Sequence, residues 1–381
     1  MRLLVQIIPL VVGLALTGCS SWNPFSKTES KKPADLIEVK QSMSVKQQWS
    51  LSVGRSENYF FVPAIDGGTG YAAAADGSVV KFDVVTGRQF WKVNAGSRLT
   101  AGIAAGDGLL VVAGEKGKIV GLSSVDGAVK WSVSESSEIL SIPLINSGTV
   151  IVRTNENKII ALDVANGTRK WMVERPLPSL TLRAASGMTV VNDSLIAALP
   201  GGKLTAVSLA NGAIKWDAVV GEPKGATELE RVADVMGIPS VVGKIVCAVT
   251  YQGRVGCFDA QTGVQRWVKP VSSEVGASAD ERFVFAADVN GVVTAYSREG
   301  GASAWKNDKL LHRGLSSPVS FGNVVALGDF AGYIHFLSRE DGSFAARLAT
   351  DGSAVLGNPV VAGSRLILQT KGGSVVSVGI E

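Results

Sequence analysis

Histidine is nearly absent from this 381-residue chain, with His312 on a loop and His335 in a strand-like run. Cysteine occurs three times, as Cys19, Cys247 and Cys257. So few ligands at such spacings give no metal site, and no nucleophile elbow accompanies them. Charge is scarce as well: 18% of residues, with a net +4 and no long basic block. Nothing there offers a footing for nucleic acid. No run shows a convincing 3.6-residue periodicity outside the first residues, beyond a single turn near Glu228–Val235. The carboxylates sit mostly in turns, as Asp76, Asp126 and Asp163 do, where capping is their expected work. Gly-rich pieces such as Asp66–Gly70 are not followed by a helix that could receive a phosphate. No catalytic residue, metal or cofactor is expected.

What the chain does contain is glycine and tryptophan in a fixed frame. The frame of DGSVVKFDVVTGRQFWKV, from Asp76, occurs seven times in full. A turn residue (Gly77, Gly117, Asn157, Gly202, Gly253, Gly291, Gly332) is followed ten positions later by glycine, and four positions after that by tryptophan. The tryptophans are Trp91, Trp131, Trp171, Trp216, Trp267 and Trp305; in the seventh copy the slot holds Ala346. Short apolar, β-branched runs alternate with polar residues and are cut by Asp-Gly, Asn-Gly and Thr-Gly pairs, the grammar of tight hairpins. Two further apolar runs precede each frame, so each unit holds four strands. Trp91, Trp131 and Trp171 recur every 40 residues. Four strands at that period identify a β-propeller blade.

Seven full units and the truncated copy ending at Glu381 make eight blades. The last lacks a fourth strand, and the orphan segment Val45–Val53, with Trp49, is expected to supply it beside Ser374–Gly379. The fold class is therefore all-β: an eight-bladed propeller of four antiparallel strands per blade, spanning residues 44–381 and closed by an N-terminal strand in the last blade. Each tryptophan should fill the wedge between neighbouring blades, with its N–H on a backbone acceptor. At Ala346 that contact should be weaker or filled differently.

The first residues are a targeting segment. Arg2 precedes an apolar run from Leu3 to Leu16, too short for a permanent span. Its end, Leu16-Thr17-Gly18-Cys19, resembles the bacterial lipobox. That resemblance implies a signal over residues 1–18, lipidation of Cys19, and, with Ser20 next, delivery to the outer membrane facing the periplasm. Residues 19–43, rich in Ser, Lys, Pro and Glu, read as a flexible tether.

Cys247 and Cys257 flank the hairpin at Gln252-Gly253. They read as two buried thiols, because bridging directly opposed strand residues is geometrically demanding; a cross-strand disulfide is the alternative.

Two connections are longer than the repeat requires. Glu174–Met188 joins blades three and four, and Val220–Pro239 joins blades four and five. Inter-blade connections share one face, so the two should form a continuous patch, the kind of place where a rigid scaffold carries function. In the first, Leu180, Leu182 and Arg183 have no obvious core to enter and read as an exposed protein-binding hot spot. The alternative is that the leucines tuck under their own loop.

The repeats resemble the pyrroloquinoline-quinone-type propeller repeat, as Ala161-Leu162-Asp163 through Gly167 to Trp171 shows. More narrowly, the chain resembles the BamB family of outer-membrane protein assembly factors. The resemblance rests on the lipobox, eight units and both long loops, and on Pro178–Arg183, Thr227–Val235 and Leu310–Arg313. It implies a non-enzymatic scaffold that docks the POTRA domains of BamA, alongside other subunits of the barrel-assembly machinery, and assists unfolded outer-membrane clients. The partner-binding residues it implies are Leu180, Leu182, Arg183 and Asp234; a second acidic position of that family is Met236 here. The competing class on the same repeat is a quinone-dependent periplasmic dehydrogenase, whose usual adjacent cysteines this chain lacks.

Overall fold

The computed structural model describes residues 32–184 and 186–380. Their strands fall into eight antiparallel sheets of four. Blade 1 shows how the frame builds one: Ala64–Asp66, Thr69–Ala73, Ser78–Asp83 and Gln89–Asn94 pair in chain order. At the second turn Asp76 Oδ1 accepts the Ser78 N–H at 2.9 Å while Gly77 takes a φ of 91°. Asp126 and Asp163 accept from Ala128 N and Ala165 N in the same way, so these carboxylates cap turns as expected.

The middle strands of each blade are apolar on both sides because the sheet is buried on both faces there, as in Leu109–Ala113 and Lys158–Asp163. In blade 3, Val150, Val152, Ile160 and Leu162 pack toward blade 2, whereas Ile151, Ile159 and Ala161 pack toward blade 4. Alternation along a strand thus assigns side chains to two seams rather than to core and solvent. Such apolar clusters occur at all eight seams. The first strands of successive blades touch one another around the centre.

The ring closes as the sequence predicts. Val360–Ala362, Arg365–Gln369 and Ser374–Ile380 are joined by Val45–Ser52, with Val45 opposite Ile380 and Ser52 opposite Ser374. The tryptophans work across the seams. Trp131 Nε1 donates to Val164 O at 2.9 Å, Trp171 Nε1 to Leu209 O at 2.9 Å and Trp305 Nε1 to Arg339 O at 2.8 Å, each in the following blade. Trp216 departs from this: its Nε1 is buried without an acceptor among the described residues. The partner of each ring is the frame glycine of the next unit. A Cβ on Gly342, whose φ is 72°, would stand 2.4 Å from Trp305, and one on Gly87 would stand 2.5 Å from Trp49. Ala346 follows from the same rule. Blade 8 takes its fourth strand from the other end of the chain, so it has no glycine turn for a tryptophan to cover. Ala346 is fully buried, and Met43 packs on its cluster instead.

Two expectations need correction. Cys247 and Cys257 form a disulfide. They are directly paired across neighbouring strands with Cα atoms 4.1 Å apart, the close kind of antiparallel pair, so the sulfurs meet without displacing the backbone. The last part of the expected tether also lies on the propeller. Ala34 N donates to Leu311 O at 2.8 Å, Arg313 Nη1 to Ala34 O at 2.9 Å, Arg347 Nη1 to Ile37 O at 2.7 Å and Ser42 N to Ala345 O at 2.9 Å. The earlier tether residues, the signal and Cys19 fall outside the described residues.

Beneath that segment lies a buried ionic cluster in blade 7. Asp329 Oδ2 accepts from Arg313 Nε at 2.7 Å and from His335 Nε2 at 3.0 Å. Arg347 Nε donates to His335 Nδ1 at 3.1 Å, which fixes a neutral ring with its proton on Nε2. Burial lowers the His335 pKa, and the Arg347 and Arg313 charges add to that against the pull of Asp329. The unfolded chain therefore takes up this proton first as pH falls below about 6.5, and folding stability drops with it. Unfolding free energy is expected to decrease from about pH 7 to about pH 5, by at most ~1.4 kcal/mol per pH unit for one proton. His335→Gln should flatten that fall in denaturant titrations; a slope untouched by the substitution would refute the assignment.

Candidate functional site

The two long connections stand side by side on the face where all inter-blade connections emerge. Pro176 and Pro178 keep the first from continuing the strand Arg169–Glu174. The second stiffens itself: Ala226 N and Thr227 N donate to Glu230 Oε2 at 2.7 and 3.1 Å, and Glu230 N donates back to Thr227 Oγ1 at 3.3 Å. These backbone N–H groups hold the Glu230 pKa below its ordinary value. The arrangement is a capping box without a helix to follow.

Cross-bonds then lock one connection to the other. Ser179 Oγ donates to Glu228 Oε2 at 2.9 Å, Leu182 N to Asp234 Oδ2 at 2.6 Å, Ser186 Oγ to Val235 O at 2.7 Å and Gly187 N to Gly237 O at 2.8 Å. The expected continuous patch is therefore present. Leu180 and Leu229, the residues next to the Ser179–Glu228 pair, are 39% and 70% exposed, and Leu177 is 44% exposed. Leu177 and Leu229 were legible only as members of these loops, because the residues flanking them give no sign of which leucine stays outside.

The sequence-predicted residues divide into two kinds. Leu180 and Arg183 are exposed. Arg183 Nη2 pairs with Glu138 Oε2 of the preceding inter-blade connection. It borders a groove of about 350 Å³ lined also by Glu57, Tyr59, Phe60 and Leu140. Leu182 is half-buried; it packs not under its own loop but on the cluster between blades 5 and 6. Asp234, expected at the contact surface, is instead 2% exposed. Both of its oxygens are engaged, Oδ2 by Leu182 N and Oδ1 by Gly201 N at 2.9 Å. Burial raises its pKa against those N–H groups and the charge of Arg153. Asp234 is placed to shape the patch from inside. Met236 is buried in the cluster of blades 5 and 6, so an acid at that position would not meet solvent here. Leu310–Arg313 lies elsewhere, holding the N-terminal segment.

One residue gave no direct signal in the sequence. Arg153 ends the second strand of blade 3 and is buried, with its pKa pushed down to about 10 by burial. An indirect signal was present: the same slot holds Ala73, Ala113, Ala198, Val249, Ala287 and Gly328 in other blades. A cation where the repeat wants a small apolar residue marks a local purpose.

A quinone cofactor would need room and countercharge in the central channel. Its lining includes Phe60, Val62, Ile142, Ile238 and Leu356, with Glu274 the one charged side chain among the described residues, and the open space is about 50 Å³. Cofactor pockets run to roughly 300–1,000 Å³. A polycarboxylate quinone fits neither the volume nor the charge. Among the described residues no three His, Cys, Asp or Glu side chains stand where they could hold a metal.

A family model described as outer membrane protein assembly factor BamB matches residues 75–307 and 290–381. The chain is 40% identical over 366 residues to the outer membrane protein assembly factor BamB of Bordetella pertussis, covering 96% of this chain and 94% of that one. Among solved structures, BamB from Moraxella catarrhalis superposes with a TM-score of 0.81 at 27% identity, over 88% of this chain and all of its own. Quinohemoprotein alcohol dehydrogenase from Comamonas testosteroni gives 0.68 at 13% identity, over 88% of this chain and 76% of that one, a likeness of fold alone.

Proposed function

The chain belongs to the family of outer membrane protein assembly factor BamB, and from that premise we propose a non-enzymatic scaffold that docks the POTRA region of BamA and assists delivery of outer-membrane clients. The observation that carries the reading is the pair of interlocked loops. They hold Leu180 and Arg183 exposed on a ring whose own seams are filled. An apolar side chain beside a guanidinium on a stiff support combines buried area with a directed, charge-assisted bond. The rigid support limits the ordering cost of association. Other subunits of the assembly machinery would be met through the same complex. Wild-type chain carried through affinity purification from detergent-solubilised membranes should bring BamA with it; its absence from the eluate would count against the reading.

Position at the membrane is part of the same proposal. Lipid chains on Cys19 would hold the scaffold at the outer membrane on its periplasmic side, each buried methylene contributing about 0.8 kcal/mol. Cys19→Ser is expected to move the protein from the membrane pellet to the soluble periplasmic fraction. Retention in the pellet would remove the lipid anchor from the account.

A further inference from the structure

The guanidinium of Arg153 reaches both ends of the first long loop. Nη2 donates to Ser186 O at 3.1 Å, at the loop's far end, and Ser141 Oγ donates to the same carbonyl at 2.6 Å. Nε donates to Ser141 Oγ at 3.2 Å, and Nη1 to Asn157 Oδ1 at 3.4 Å. Asn157 Nδ2 in turn faces the carbonyls of Arg175 and Pro176, both at 3.4 Å, where the loop begins. Ser186 passes the connection to the second loop through its hydroxyl on Val235 O. One buried cation therefore gathers the start and finish of residues 175–186 and the root of the neighbouring connection.

Packing does not require an arginine there. Six of the other blades close the same seam position with Ala, Val or Gly. Asn157 is equally out of pattern: it takes a φ of 64° where the other frames place glycine. Both departures fall in the blade that carries the first long loop. A buried charge that the fold can do without, bonded by every arm to loop backbone or to a side chain that holds it, has a role in that loop's shape.

We propose that Arg153 is a positioning residue for partner binding: with Asn157 and Ser186 it closes the base of the 175–186 loop and so sets where Leu180 and Arg183 point. This rests on the docking function proposed above and adds the element that regulates its geometry. It touches no partner itself. Its substitution acts through the loop and leaves the blades intact.

The test compares four proteins for binding to the purified POTRA region of BamA: wild type, Leu180→Ala with Arg183→Ala, Arg153→Met and Asn157→Gly. Hydrogen exchange over residues 177–184 and thermal melting are followed in parallel. Arg153→Met is expected to weaken binding about tenfold, raise exchange in that segment and leave blade exchange unchanged. Asn157→Gly restores the residue that the frame uses elsewhere and suits its φ of 64°; it should weaken binding about threefold. Wild-type affinity and wild-type loop protection in both variants would overturn the proposal. If wild type itself fails to bind, the docking function fails. Exchange then decides for Arg153: faster exchange confined to the loop supports it and unchanged exchange refutes it. Should Arg153→Met not fold, Asn157→Gly alone decides between the same two outcomes.

Discussion

Replacing Leu180, Leu182 and Arg183 together with alanine is expected to abolish recovery of BamA with this protein. A leucine taken fully from water contributes roughly 1.5–3 kcal/mol, and a hydrogen bond to a charged group roughly 1.5–3 kcal/mol. Loss of two such groups at the centre of one contact amounts to about three orders of magnitude in affinity, even with the usual non-additivity. The three positions do not contribute alike. Leu182 already packs on the cluster between blades 5 and 6, so its loss falls partly on stability. Leu180 and Arg183 are exposed, and their single substitutions should weaken binding with melting unchanged. To meet a partner Arg183 would have to leave Glu138, so Glu138→Gln should strengthen rather than weaken binding. Undiminished BamA in the eluate of the triple variant would place the contact elsewhere on the ring.

The repeat made the ring legible, because turn chemistry and alternation recur in nearly every unit and each recurrence corroborates the rest. What it concealed lies between units. Gly342 and Trp305 look like members of separate frames, yet they are one contact, since a blade's outer strand faces the next blade's turn. Ala346 reads as a defect until the missing turn of blade 8 explains it. The site was legible in outline for a similar reason: excess length in two successive connections is visible without coordinates. Which side chains face outward was not. Asp234 is polar and sits in a loop, two good reasons to expect it outside, but the backbone N–H groups of Leu182 and Gly201 need an acceptor there and draw it in. The Cys247–Cys257 bridge turned on register, and a shift of one residue would have separated the pair. Arg153 was readable only by comparing blades slot by slot.

The seam contact yields the largest effect on stability. Trp305 is 7% exposed, its ring covers Gly342, and its N–H is bonded to Arg339 O. Trp305→Ala removes a buried aromatic and opens a cavity between blades 6 and 7, at a cost of about 3–5 kcal/mol. Trp305→Phe keeps most of the ring and loses the donor, leaving the half-buried Arg339 carbonyl short of a partner for about 1–3 kcal/mol. Gly342→Ala attacks the same contact from the other side, by a methyl group 2.4 Å from the ring and by the strain of an L-residue at a φ of 72°. If the two residues are one unit, the double variant costs less than the sum of the singles, because with the indole gone only the backbone strain of about 1 kcal/mol remains at residue 342. Denaturant titration of the four proteins closes that cycle. Additive losses would mean that ring and glycine merely adjoin, and that the blades are held by strand packing alone.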